Sequence, residues 1–153
     1  MALATQALTS GAGVNSVLIL SPYRNQANHL VSLLKCEPRG VTNRIRVGTV
    51  HSAQGDEADV VIVTIDDVPD RPSPFMRATR TTQVGPRLLN VAFSRTKQRL
   101  FVIAPFCTLQ ASHQVGSVIK SVIGELLEHG HAFSVDDVLQ RSPQVHRNVT
   151  VPT

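Results

Sequence analysis

The sequence predicts an α/β domain with a mainly parallel sheet flanked by helices. Three runs, over 16–20 (S-V-L-I-L), 60–63 (V-V-I-V) and 99–104 (R-L-F-V-I-A), are continuously apolar or nearly so. Strands covered on both faces lose their alternation, and parallel strands are the ones so covered. The first run is followed by a helical pattern and then another strand, a βαβ opening whose crossover makes the two strands parallel. At 153 residues the chain is long enough for one domain with a sizeable core.

Residues 1–15 hold no sustained pattern and are expected to be a flexible lead-in. A strand follows over 16–20. Ser21 and Pro22 suit an N-cap and a first helical position, and Ala27, Leu30, Val31 and Leu34 recur at helical spacing. Pro38 and Gly40 mark 37–43 as a loop before a strand over 45–50. A polar turn then leads to a β-branched strand over 60–65. From 66 to 85 the apolar signal stops; Pro69, Pro72 and Pro74 fall inside this excursion and Pro86 just beyond it. An excursion of that length is usually functional or mobile.

Helical spacing resumes at Arg87 and runs through Lys97, with Leu88, Val91, Ala92 and Arg95 near one face. A strand over 99–104 is stopped by Pro105. Val115, Val118, Ile119, Val122, Ile123, Leu126 and Leu127 form the face of an amphipathic helix, with His129-Gly130 as its stop. Ser134 and Asp137 read as a capping box opening a short helix to about Gln140. The expected domain is therefore 16–140, with 141–153 a disordered tail.

Composition narrows the function classes. Lys plus Arg exceed Asp plus Glu by 15 − 11 = 4, compatible with a polyanionic partner but equally with plain solubility. There is no Trp and a single Tyr, so a base-stacking platform is not expected and a nucleic-acid grip should work through phosphates. Cys36 and Cys107 stand alone, with no zinc pattern; no metal ligands are expected, and the setting is expected to be reducing and intracellular. No membrane span or signal peptide is expected.

Three polar stretches carry the chemistry. In S-P-Y-R-N-Q, Tyr23 offers a ring and hydroxyl, Arg24 a planar cation suited to phosphate, and Gln26 an amide that can read a base edge. In T-V-H-S-A-Q-G-D-E-A-D, Gly55 lets backbone approach a ligand closely. Glu57 repels phosphate, so beside a nucleotide it should accept from sugar hydroxyls or hold an arginine. Thr49 and His51 leave the strand early enough to touch a second ligand. Such a turn is expected at the carboxyl ends of the strands, where open α/β sheets build their sites. In R-L-L-N-V-A-F-S-R-T-K, Arg95 and Lys97 are cations on a helix whose other face is core. Each stretch taken singly also fits an ordinary solvated surface.

Together and in this order, the three resemble motifs IV, V and VI of superfamily 1 helicases, nearest the branch that includes the nonsense-mediated-decay helicase. The resemblance covers roughly 16–104 and implies the second of two RecA-like, P-loop-NTPase-type domains. It implies that Arg95 is the motif VI arginine reaching the γ-phosphate of ATP. It implies nucleotide contacts from Gln54, Gly55 and Glu57 in motif V, from Tyr23, Arg24 and Gln26 in motif IV, and from Arg87. Thr49 and His51 match positions near the nucleic-acid backbone. Arg87 is followed by Leu88 where the family usually carries paired basic residues, and Thr96 replaces a small alanine.

The implied cofactor is ATP with Mg²⁺, held in a cleft with a first RecA-like domain, and the implied partner is single-stranded DNA or RNA. The sequence has no G-x-x-x-x-G-K-[ST], so this chain is expected to supply one wall of the ATP site and to be inactive alone. The alternative is a non-catalytic RecA-like module that binds nucleic acid or protein.

Overall fold

The computed structural model describes residues 1–9, 13–53, 55–67, 71–134 and 136–137. Its elements are α1 (Ala2–Thr9), β1 (Val17–Ser21), α2 (Arg24–Leu34), α3 (Arg39–Thr42), β2 (Ile45–Thr49), β3 (Ala58–Thr64), α4 (Val84–Phe93), β4 (Thr96–Ile103), α5 (Phe106–Ala111) and α6 (Ser117–His129). The four strands form one sheet in the order β2-β1-β3-β4. Every pairing is parallel, with Val17 opposite both Ile45 and Val60, and Val61 opposite Leu100. This is the parallel α/β sheet that the apolar runs predict, in the RecA-like arrangement that the resemblance implies.

Both faces of the sheet are covered, which explains why the central strands lack alternation. Side chains of a strand point to opposite faces in turn. Leu18, Leu20, Val61 and Val63 therefore share one core with Leu89 of α4, Leu109 of α5, and Ile119 and Ile123 of α6. Val17, Ile19, Val60 and Ile62 share the other with Ala4 and Ala7 of α1, and Leu30 and Leu34 of α2 pack against it. The strands at the two margins are blunted by exposed charge, Arg46 on β2 and Lys97 and Arg99 on β4, which discourages edge pairing.

Several expectations need correction. The lead-in is not loose over its first residues: α1 is helical, and Ala4 and Ala7 are buried against the sheet. Alanine is the best helix former, and two small side chains on one face allow close approach without a conspicuous apolar stripe. Ser21 belongs to β1 and does not cap α2; the N-cap is Tyr23, which makes no side-chain cap bond. The helix placed over 87–97 runs instead from Val84 to Phe93, and Thr96 and Lys97 open β4. β-branched Thr96 sits in register with Ala58 and is drawn into the ladder. Arg95 therefore stands in the turn between helix and strand.

The excursion is anchored rather than structureless. Phe75, Met76 and Ala78 are buried in the core beside α6, and the Gly116 amide donates to the Met76 carbonyl at 2.9 Å. Helices α3 and α5 were not expected. Ser134 and Asp137 do form a reciprocal cap, with Ser134 Oγ on Asp137 Oδ2 at 2.8 Å and the Asp137 amide on Ser134 Oγ at 3.1 Å. The expected helix to Gln140 and the tail over 141–153 lie outside the described residues.

Candidate functional site

Because β2 and β3 are parallel yet joined by only 50–57, the chain must descend from the carboxyl edge of the sheet to its amino edge within that stretch. Val50 and Ala53 make the descent through the core. Gly55 turns it with φ +94, in the left-handed region that a side chain disfavours. Glu57 consequently ends at the amino edge, immediately before β3, and not at the carboxyl edge as expected from the usual placement of α/β sites.

That amino edge brings the end of the second polar stretch beside the end of the third. The Ala58 amide donates to the Arg95 carbonyl at 3.1 Å, so the residue after Glu57 is bonded to Arg95. Arg46 pairs with Asp56 at 2.9 Å and Lys97 with Glu57 at 3.3 Å. Arg46 Nη2 also donates to the Glu57 carbonyl at 2.9 Å. Both ion pairs are about half exposed, a setting in which such pairs contribute roughly 0–1 kcal/mol and exchange partners readily.

Arg95 is half-buried and folded back. Its Nε donates to the Val91 carbonyl at 3.1 Å and its Nη2 to Ser94 Oγ at 3.3 Å. A cation at the C-terminus of α4 is favoured by the helix dipole. The hydroxyl of neighbouring Thr96 is buried without a hydrogen-bond partner among the described residues.

Asp59 closes the edge beneath β1. Its Oδ2 accepts from the amides of Asn15 at 2.8 Å and Ser16 at 3.1 Å and from Ser16 Oγ at 3.2 Å. The Asn15 amide first, and then Ser16, hold this carboxyl below its ordinary value.

The carboxyl edge holds the first stretch. Order reverses about β1, since α2 covers one face while 50–57 and α4 take the other, and the crevice at such a switch point is the usual ligand site of open sheets. Here the protein fills it with its own side chains. The Tyr23 hydroxyl bonds Asp67 Oδ2 and lies 3.0 Å from Ser73 Oγ. Ser73 donates through Oγ to Asp67 at 2.7 Å, and the Tyr23 ring meets Phe75 edge-on at 6.1 Å. Burial, and then the bond to Asp67, push the phenol above its ordinary value, so it stays a proton donor.

Ser21 Oγ accepts the Tyr23 amide at 3.0 Å and donates to Gln26 Oε1 at 2.5 Å. Gln26 therefore organises the strand end. Arg24 is exposed. On the same edge Thr49 and Ser52 exchange bonds, Thr49 N to Ser52 Oγ at 2.9 Å and Ser52 N to Thr49 Oγ1 at 3.2 Å. His51, between them in sequence, is exposed.

The expected nucleotide set is thus divided. Gly55, Glu57 and Arg95 share the amino edge. Tyr23, Arg24 and Gln26 lie beyond β1 at the other end, about 13 Å away by strand rise, beside Thr49 and His51. Arg87 is exposed in the first turns of α4, on the carboxyl-edge side. Gln54 lies outside the described residues. Asp67 and Ser73, the partners of Tyr23, were missed because no periodicity marks the excursion that carries them. Among the described residues no group of three or more His, Cys, Asp or Glu is placed to hold a metal, and no helix is long and apolar enough to cross a membrane.

Residues 1–105 match the family AAA_12, described as an AAA domain. The chain is 32% identical over 100 residues to the DNA polymerase alpha-associated DNA helicase A of Saccharomyces cerevisiae, covering 63% of this chain and 13% of that protein. It is 28% identical over 90 residues to the replicase polyprotein 1ab of Alphamesonivirus 1, covering 59% of this chain and 2% of the polyprotein. The chain therefore spans a small part of the length of these curated relatives.

Proposed function

Since this chain belongs to the AAA domain family AAA_12 and is a superfamily 1 helicase-type domain, we propose that it works as the C-terminal motor domain of an ATP-dependent helicase of the nonsense-mediated-decay-type branch, in an intracellular setting. The single observation that supports this best is the bond between Ala58 and Arg95, which holds the end of the motif V stretch against the end of the motif VI stretch at one edge. Gly55 and Glu57 are exposed there, so a second domain has access to them.

ATP with Mg²⁺, when bound between two such domains, supplies the phosphoryl group that is transferred to water. This chain's amino edge fits one wall of that site: Glu57 has a carboxylate for sugar hydroxyls, and Arg95 has a guanidinium for phosphate oxygens. Tyr23, Arg24 and Gln26 lie at the carboxyl edge, where Tyr23 anchors the loop after β3. Release of Arg95 from the Val91 carbonyl would free its planar fork. An arginine reaching the transferring phosphoryl group is worth about 10³–10⁵ in rate. Its effect is charge stabilisation and positioning, with no covalent step through the protein.

The carboxyl edge, with Thr49 and His51, would then face single-stranded DNA or RNA. Residues 50–57 connect the two edges, the route by which nucleotide at Glu57 would be coupled to a strand at Thr49. The decisive experiment joins the chain to a first motor domain carrying a phosphate-binding loop and follows ATP hydrolysis with and without oligonucleotide. Nucleic-acid-stimulated turnover by the joined protein, and none by the chain alone, is the expected result. Turnover that the joined protein never shows would favour the non-catalytic module.

A further inference from the structure

Between Arg71 and Arg87 the sequence carries four arginines and not one carboxylate. Arg71, Arg77, Arg80 and Arg87 are all exposed, and the latter three lie on a rigid platform that leads into α4. Its underside is held by Phe75, Met76 and Ala78 in the core. One turn is closed by the Arg77 amide on the Ser73 carbonyl at 3.2 Å, with the Ser73 amide in turn on Asp67 at 3.1 Å. The next is closed by Gln83 Oε1, which accepts the amides of Thr79 at 2.7 Å and Arg80 at 2.8 Å. Gly85 lies so close beneath that an added Cβ would stand 2.1 Å from the Phe75 carbonyl oxygen.

None of the guanidinium groups of Arg77, Arg80 and Arg87 has a carboxylate or hydrogen-bond partner among the described residues. Of the preceding acids, Asp67 is turned inward onto Tyr23 and Ser73, and Asp66 is exposed at the end of β3. Through Tyr23 and Phe75 the platform is fixed to the carboxyl edge, the edge that also bears Thr49 and His51.

We propose that Arg77, Arg80 and Arg87 form a docking surface for the phosphate backbone of a single nucleic-acid strand, continuing the track of Thr49 and His51 along the carboxyl edge. This rests on the helicase-type assignment of that edge. It gives Arg87 a role on the strand and not at the nucleotide. Unpaired arginines on fixed backbone keep their planar forks free for phosphate oxygens. Between Arg71 and Arg87 the one exposed large apolar side chain is Val84, and a single valine is a small anchor. A protein partner would be expected to use apolar anchors, whereas a phosphodiester strand needs only ordered cations.

The test measures binding of a short fluorescein-labelled oligo-uridine to the chain by anisotropy across a salt series. The triple variant Arg77→Ala, Arg80→Ala, Arg87→Ala should bind at least about tenfold more weakly at low salt. Its slope of log affinity against log salt should shrink by about 2, since each phosphate contact on a single strand contributes about 0.7. A control triple, Lys35→Ala, Arg39→Ala, Arg99→Ala, removes the same charge from exposed positions off the platform and should change both far less.

Equal weakening by the two triples would overturn the docking surface in favour of general charge. Oligo-uridine binding that survives the first triple would overturn the surface alone. Absence of binding by the unaltered chain would overturn the surface and the nucleic-acid assignment together. Polyglutamate that displaces the oligonucleotide and binds with the same arginine dependence would identify an acidic polypeptide as the occupant and sink the phosphate assignment.

Discussion

The amide of Ala58 donates to the carbonyl of Arg95 at 3.1 Å. Through that bond the start of β3, just after Glu57, is tied to the turn that presents the arginine. Two stretches separated by nearly forty positions thereby become one edge, and the rest of the structure can be perturbed without touching it.

Tyr23 offers the first such perturbation. Tyr23→Phe removes the hydroxyl that Asp67 and Ser73 share and should cost about 1–2 kcal/mol of stability, read as a lower urea midpoint. The phenol's folded pKa is raised above its ordinary 10.0, so its contribution is fully present below pH 10 and is lost as pH rises beyond it. As this is the only tyrosine, its absorbance titration is unambiguous. Phenolate should appear only above the ordinary value and together with alkaline unfolding; ionisation near 10 in a folded chain would refute the buried bond.

Asp59 governs the acid side. Its folded pKa lies below its ordinary 3.8, so the stability it contributes is present above that value and is lost as pH falls through the folded one. Asp59→Asn should therefore flatten the fall in urea midpoint on the acid side. A variant whose acid profile overlays the parent's would show that the bonds from Asn15 and Ser16 do not hold the carboxylate.

Two glycines should respond with opposite signs. Gly85→Ala drives a Cβ to 2.1 Å from the Phe75 carbonyl oxygen and should destabilise by about 1–3 kcal/mol. Gly124→Ala meets open space in the middle of α6 and should stabilise by about 0.5–1 kcal/mol. Thermal melts of both variants check the packing of the loop onto α4, and like-signed shifts would contradict it.

Thr96 carries a buried hydroxyl with no partner among the described residues. Thr96→Val keeps the shape and the β-branch while removing the unsatisfied group, and should raise stability by about 1 kcal/mol or more. A loss of stability would mean that the hydroxyl is bonded after all.

The sheet was legible in the sequence because burial on both faces leaves a direct trace, the apolar runs at β1 and β3; the run expected to be covered at β4 belongs to a marginal strand with no fully buried residue. Helix α1 was not, because its buried face is made of Ala4 and Ala7, which read as neutral spacing. The boundary at Arg95 was misjudged because N-V-A-F-S-R-T-K keeps helical spacing past Phe93, while the pairing of Thr96 with Ala58 is a long-range fact that no local pattern contains.

The candidate site was legible as residue types but not as a place. Motif order alone put Tyr23 and Arg95 around one ligand. The descent of 50–57 from Thr49 to Glu57 separates them, and that descent follows from strand order, which the sequence does not state.

The central claim is that Arg95 acts on the phosphoryl group in the transition state, and its most direct test is the steady-state kinetics of Arg95→Ala in the chain joined to a first motor domain. Because ground-state contacts would belong mostly to the other domain, kcat should fall by at least about 10³ while nucleotide affinity changes only a few-fold, about 1 kcal/mol or less. Arg95→Lys should restore little, since an ammonium lacks the planar fork. Arg99→Ala, four positions on in β4 and exposed, should leave turnover nearly intact. A normal kcat for Arg95→Ala, or an equal loss for Arg99→Ala, would contradict the assignment.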